Sequence, residues 1–201
     1  MREKFEIAVL DGVYPPSEDT YLLIDSLTIE SEDLVLDVGC GAGVATLVAA
    51  EMAKRVLSLD ISLEAANNTR QNLRMNSLGK NVSVIQSDLF SSISPETKFS
   101  LILFNPPYLP KDEYETDMDH ALVGGGIGTE LTQRFIIEAS QHLIEGGRIY
   151  VVASSLADVE TINAELREQR FDITIENEES IFFERIQVIK GTWQGHKETV
   201  L

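Results

Sequence analysis

LVLDVGCGAGVATLVAA, residues 34–50, changes its periodicity half-way, and that change decides the fold. LVLDVG (34–39) is a short apolar run broken only by Asp37, and it reads as a strand buried on both faces. VATLVAAEMA (44–53) reads as a helix. Between them Gly39, Gly41 and Gly43 alternate, so the backbone can turn tightly and approach a ligand at a distance that a Cβ would forbid.

The same alternation continues downstream. RVLSLD (55–60) reads as a second strand and SLEAANNTRQNLRMN (62–76) as a second helix, followed by strands NVSVIQ (81–86) and FSLILF (99–104). After a long loop come a helix over about 129–143, the strand RIYVVAS (148–154), a helix over about 156–169, and two short strands, FDITIE (171–176) and ERIQVIK (184–190). Repeated βα units imply an α/β fold, a doubly wound and mainly parallel seven-stranded sheet, and the short link between the last two strands implies an antiparallel hairpin. With no internal repeat and no Pro/Ser/Gly-rich linker, residues 1–201 are expected to form a single domain. Trp193 is expected to cover the edge of the hairpin.

Ligands of such sheets bind at the carboxyl ends of the strands, so the motifs are read there. A G-x-G-x-x-G frame starting at Gly39 places Val44 in its third glycine position, and one starting at Gly41 places Thr46 there, which disfavours a dinucleotide. The D-x-G-x-G-x-G pattern from Asp37 resembles motif I of class I S-adenosylmethionine-dependent methyltransferases. Asp60 closes the second strand 21 positions after Gly39, near the spacing at which an acid accepts both ribose hydroxyls. Ser62 is free to cap the following helix in its place. Asp88, after the third strand, is placed to accept from an adenine amine, with the Leu89 N–H and side chain beside the ring. Asp37, Asp60 and Asp88 thus stand at three successive strand ends.

Composition narrows the classes of function. No apolar run approaches the ~20 residues of a membrane span and the start shows no secretory h-region, so a cytoplasmic protein is expected. A single Cys and three scattered His give no metal-ligand spacing, and no metal is expected in this chain. With 16 Lys+Arg against 33 Asp+Glu, a net charge of −17, a phosphate backbone is repelled and nucleic acid is disfavoured.

FNPPYLP (104–110) then has a chemical use. Two prolines make a stiff, acceptor-rich corner at the strand end, where the Asn105 side-chain carbonyl and the Pro106 backbone carbonyl can both accept N–H bonds. Such a pair, with Tyr108 stacked on the substrate, can hold a planar –NH2 so that its lone pair is aimed at an electrophilic methyl. An adenine amine and an amide both fit this corner.

With these motifs in hand, the chain resembles the HemK-like amino-methyltransferases that carry the Asn-Pro-Pro-Tyr motif (class I, Rossmann-like), and among them the eukaryotic and archaeal branch that methylates the glutamine of class I translation termination factors. VYPPSEDTYLLIDSL (13–27) looks like that branch's N-terminal lead-in, residues 1–30, which covers the cofactor site and replaces the separate helical domain of the bacterial enzymes. The resemblance implies S-adenosylmethionine as cofactor, held by Thr20, Asp37, Gly39, Gly41, Asp60, Ile61, Asp88, Leu89 and Asn105, with Glu18 near Thr20. It implies catalysis by Asn105, Pro106 and Tyr108, and substrate contacts from those residues and Pro107. It further implies a glutamine of a Gly-Gly-Gln loop as acceptor, and a small zinc-binding activator subunit that adds a strand to the edge 81–86, itself β-prone, uncharged and free of proline. The alternatives are an adenine-N6 methyltransferase, another protein N-methyltransferase such as one acting on lysine, and a non-catalytic cofactor-binding subunit. HALVGGGIGTE (120–130) resembles the family's glycine-containing segment, and no role is assigned to its individual residues.

Overall fold

The computed structural model describes residues 4–107, 129–181 and 184–195. Along the chain these form α1 (Glu18–Ser26), β1 (Leu34–Val38), α2 (Val44–Met52), β2 (Arg55–Asp60), α3 (Leu63–Met75), β3 (Val82–Gln86), a 3-10 turn (Leu89–Ser92), β4 (Phe99–Phe104), α4 (Glu130–His142), β5 (Leu143–Ser154), α5 (Val159–Glu168), β6 (Phe171–Ile181) and β7 (Glu184–Trp193). The seven strands form one sheet in the order β3-β2-β1-β4-β5-β7-β6. β1 lies parallel to both β2 and β4, and only β7 runs antiparallel to its neighbours β5 and β6. The expected doubly wound sheet with an antiparallel hairpin is therefore present.

The order reverses between β1 and β4: successive strands move outward to one side through β2 and β3, then to the other through β5. A crevice opens at such a switch point, and Gly39 and Asn105 stand at its two lips.

Two cores hold the sheet, one per face, because side chains alternate along each strand. Val35, Leu101, Leu103, Tyr150 and Val188 point toward α1 and α2. Leu36, Ile102, Phe104, Ile149 and Val151 point toward α4 and α5, where Phe104 stacks on Phe135 at 4.3 Å between ring centroids. At the foot of the sheet the buried Asp33 carboxylate accepts from Arg148 Nη2 at 2.6 Å, Ser100 Oγ at 2.6 Å and Glu30 N at 2.7 Å, tying β1, β4 and β5 together.

Several expectations need correction. β5 begins at Leu143 and not at 148, because 143–147 continue the strand through an irregular register against β4. α5 begins at Val159, since residues 155–158 turn away from β5 and the Asp158 side chain caps the helix by accepting Thr161 N at 3.1 Å. β6 and β7 are long, at 11 and 10 residues. The acidic stretch ENEES (176–180) hides most of β6 from an apolar-pattern reading because that strand is an exposed sheet border. Trp193 does not cover an edge. It ends β7, an interior strand, is 6% exposed within the α4–α5 core, and donates its Nε1–H to Gln169 O at 3.1 Å.

β3 is a border, as expected. Asn81 O and Ser87 N both pair with β2, so by alternation the backbone groups of 82, 84 and 86 face outward. They are not all without partners: Val82 N donates to Gly79 O at 3.2 Å and the Val84 carbonyl accepts from Arg70 Nη2 at 2.6 Å. Among the described residues, no helix is long and apolar enough to cross a membrane, and no group of His, Cys, Asp and Glu is arranged to hold a metal.

Candidate active site

Gly39, Gly41 and Gly43 have φ of 66°, 53° and 85°, the left-handed region that side chains resist. Gly43 has a second constraint: a Cβ there would lie 2.8 Å from Thr69 Oγ1 and 3.1 Å from the Thr69 Cα. The loop is pinned from below, with Cys40 N donating to Leu59 O at 3.0 Å and Thr69 Oγ1 donating to Gly41 O at 2.9 Å. Asp60 holds it from the side, as its Oδ2 accepts Gly41 N and its Oδ1 accepts Ser62 N, both at 2.9 Å. Ser62 does cap α3, its Oγ accepting Ala65 N at 3.1 Å, which leaves Asp60 directed into the crevice.

A cavity of about 440 Å³ lies over this loop, within the ~300–1,000 Å³ range of cofactor sites. All nine residues expected to bind the cofactor line it: Thr20, Asp37, Gly39, Gly41, Asp60, Ile61, Asp88, Leu89 and Asn105. Ile61 is 69% exposed, an aliphatic surface turned to the opening. Pro107 also lines the cavity, while Pro106 is buried at the corner. Tyr108 and 120–128 lie outside the described residues.

The charges of the site are set by burial. Asp37 is pushed up to about 7 by desolvation, which the Thr46 hydrogen bond opposes and the nearby Asp60 charge augments. Its Oδ2 accepts Thr46 Oγ1–H at 2.5 Å, and that hydroxyl lies 2.7 Å from Ser58 Oγ. Burial also raises Asp60, against the three backbone N–H groups around its carboxylate. Cys40 lines the cavity, but burial and two neighbouring carboxylates raise its thiol well above the usual range, so it stays neutral and is no nucleophile. Asp88 sits differently from the other two acids: it is exposed, and Arg134 Nη1 holds both its oxygens at 3.0 and 3.1 Å.

The least expected feature is at the corner. Asn105 Nδ2 donates to Oδ2 of the buried Asp19 at 3.1 Å, and Asp19 Oδ1 accepts Thr20 N at 2.6 Å. Asn105 Oδ1 is buried and has no hydrogen-bond partner among the described residues. A buried unpaired carbonyl costs roughly 1–3 kcal/mol, and Asp19, by taking the amide hydrogen, prevents the side chain from flipping to relieve it. Reading the sequence assigns no role to Asp19. Its only local signal is its place in the acidic first turn of a helix, and the contact joins residues 86 positions apart. The lead-in also supplies Gly12, Val13, Tyr14 and Pro16 to the cavity wall, and burial, with Asp19 beside it, raises the Tyr14 phenol.

Known proteins resemble this chain over most of its length. The profile of the family described as methyltransferase small domain matches residues 7–179. A protein of Methanocaldococcus jannaschii carrying the provisional name protein N5-glutamine methyltransferase is 36% identical, over 94% of this chain and 96% of its own length. Methyltransferase HEMK2 of Mus musculus is 35% identical over 70% of this chain and 71% of its own. Among solved structures, the E. cuniculi Mtq2-Trm112 complex, described as responsible for methylation of the eRF1 translation termination factor, aligns with a TM-score of 0.70 at 27% identity, covering 91% of this chain and 99% of that one.

Proposed function

Because this chain belongs to the methyltransferase small domain family, we propose that it transfers a methyl group from S-adenosylmethionine to the side-chain amide nitrogen of the glutamine in a Gly-Gly-Gln loop of a class I translation termination factor. The observation that carries the reading is the Asn105 carbonyl, buried, unpaired and oriented by Asp19 beside the cavity. Its natural partner is an N–H of the substrate.

The donor, when bound, supplies an electrophilic methyl on a sulfonium. These cavity-lining residues would hold it: Asp60 would accept from the ribose diol, Asp88 and Leu89 would take the adenine edge, Ile61 would cover the ring, and Thr20, Asp37, Gly39 and Gly41 would surround the methionine end. An amide nitrogen is a poor nucleophile because its lone pair is delocalised into the carbonyl. Asn105 Oδ1 and the Pro106 carbonyl each accept one of its hydrogens, fixing the nitrogen with its lone pair toward the methyl. Pro107 and Tyr108 complete the substrate side. The methylated nitrogen is acidic and loses its extra proton to solvent, so no buried general base is needed. Asp19 is a positioning residue, acting through Asn105.

A relative named for glutamine methylation and a similar complex described as methylating a termination factor support an amide acceptor on such a factor, and the charge of −17 disfavours duplex DNA. By the same similarity we propose a small zinc-binding activator as partner, adding a strand at 81–86, and a cytoplasmic location. The test is a methyl-transfer assay offering a recombinant termination factor and double-stranded DNA in parallel, with mass mapping of the product. Label is expected on the loop glutamine. Asn105→Ala is expected to lower kcat about 100-fold or more, with S-adenosylhomocysteine affinity within a few-fold of wild type. Methylated adenine as the only product, or full turnover by Asn105→Ala, would overturn the reading.

A further inference from the structure

Residues 4–10 take no part in the sheet, yet they are held as a strand would be. Glu6 N donates to Asn76 Oδ1 at 2.9 Å, and Asn76 Nδ2 returns a bond to Glu6 O at 2.8 Å. Two residues on, Ala8 N donates to Asn72 Oδ1 at 2.9 Å, and Ala8 O accepts from both Asn72 Nδ2 and Asn68 Nδ2 at 2.8 Å. Two further on, Leu10 N donates to Asn68 Oδ1 at 2.8 Å. The match of spacings explains why this works. Four helical residues advance ~6 Å and two strand residues ~6.7 Å, so amides at 68, 72 and 76 meet every second residue of a segment running antiparallel to α3. Asn68 and Asn72 are fully buried, and Phe5 and Ile7, on either side of the first rung, pack inward from the strap.

The ladder leads directly to the cavity. Asn72 Nδ2 also donates to Ala42 O at 2.8 Å, inside the glycine loop. Past the last rung the chain turns, with Val13 N on Leu10 O at 3.1 Å, and Val13 packs against Ala42 and Ala65 before Tyr14 and Pro16 line the cavity. A segment tied by a sheet would share the sheet's stability. This one is tied to α3 by three side chains, with Phe5 and Ile7 packed beneath it, rather than by pairing with a strand.

We propose that Asn68, Asn72 and Asn76 are positioning residues for the methyl donor: their amides stand in for a neighbouring strand, hold residues 4–14 as a lid on the cavity, and set the rate at which donor and product exchange. This rests on the reading of the cavity as the S-adenosylmethionine site. The test is a matched pair of prolines in the full chain. Ala8→Pro removes the central N–H rung, whereas Val9→Pro, at an exposed residue whose N–H faces away from α3, leaves all three rungs. For Ala8→Pro the expected result is S-adenosylhomocysteine release at least tenfold faster, a raised KM for S-adenosylmethionine with undiminished kcat, and faster hydrogen exchange confined to 4–14. Val9→Pro should stay within twofold of wild type. Asn76→Ala, at the half-exposed outer rung, should shift release in the same direction as Ala8→Pro. Equal behaviour of the two prolines, or faster exchange at 4–14 with unchanged release, would overturn the proposal. A wild-type chain that binds no S-adenosylhomocysteine would instead overturn the reading of the cavity.

Discussion

A carboxylate buried as deeply as Asp37 makes stability depend on pH. Its folded-state value is raised to about 7, so the folded protein holds this proton more tightly than the unfolded chain, whose carboxylate titrates near ~4. The contribution is therefore fully present below ~4 and is lost as pH rises through about 7. Asp37→Asn, which keeps an oxygen for the Thr46 hydroxyl, should raise the melting temperature of the ligand-free protein more at pH 8 than at pH 5. An equal shift at both pH values would defeat the assignment. The glycines offer a second test at this scale. Both Gly41 and Gly43 are left-handed, but a Cβ at Gly41 meets nothing within 4 Å while one at Gly43 meets Thr69. Gly41→Ala should cost about 1–2 kcal/mol and Gly43→Ala clearly more, as urea unfolding would show. Equal costs would mean that the helix start yields to the clash.

Between elements, the decisive feature is the border strand β3. Its outward carbonyl at Val84 is held by Arg70 from α3, so an added strand must displace that guanidinium. The Val84 N–H faces outward as well and is not used by β2, which makes Val84→Pro a selective probe: it removes a donor from the border without removing a rung of the β2–β3 ladder. Co-expression with the proposed activator should raise soluble yield and activity of the wild-type chain, and Val84→Pro should abolish that gain while leaving the isolated chain folded by circular dichroism. A proline variant that still gains from co-expression would place the partner elsewhere.

For the molecule as a whole, the excess of 17 negative charges raises the free energy of the compact state. Lengthening the Debye screening length from about 8 Å at 150 mM salt to about 30 Å at 10 mM exposes that repulsion. The unfolding midpoint should accordingly rise with NaCl over this range, and a flat or falling midpoint would show that local ion pairs such as Arg148–Asp33 outweigh the net charge. The same field favours a basic acceptor segment over a phosphate backbone, in line with a protein substrate.

What the amino-acid order determined by itself is local. The apolar runs at 34–38, 55–60 and 99–104, the glycines between strand and helix, and the acids and the Asn-Pro-Pro corner at strand ends all lie within a few residues of the elements that carry them. Period and turn chemistry therefore suffice to place them, and the rule that ligands bind at a switch point gathers them into one cavity. What only the tertiary structure decided are the contacts between residues far apart in the chain: Asp19 with Asn105 across 86 positions, Arg134 with Asp88 across 46, and Glu6 with Asn76 across 70. Each depends on how one element packs against another, which no short pattern encodes. Asn68, Asn72 and Asn76 look like ordinary polar positions of an amphipathic helix until a segment with strand spacing is laid along them. The length of β6 was hidden for a related reason, since the outer strand of a sheet gains its hydrogen bonds from β7 and needs no apolar face of its own.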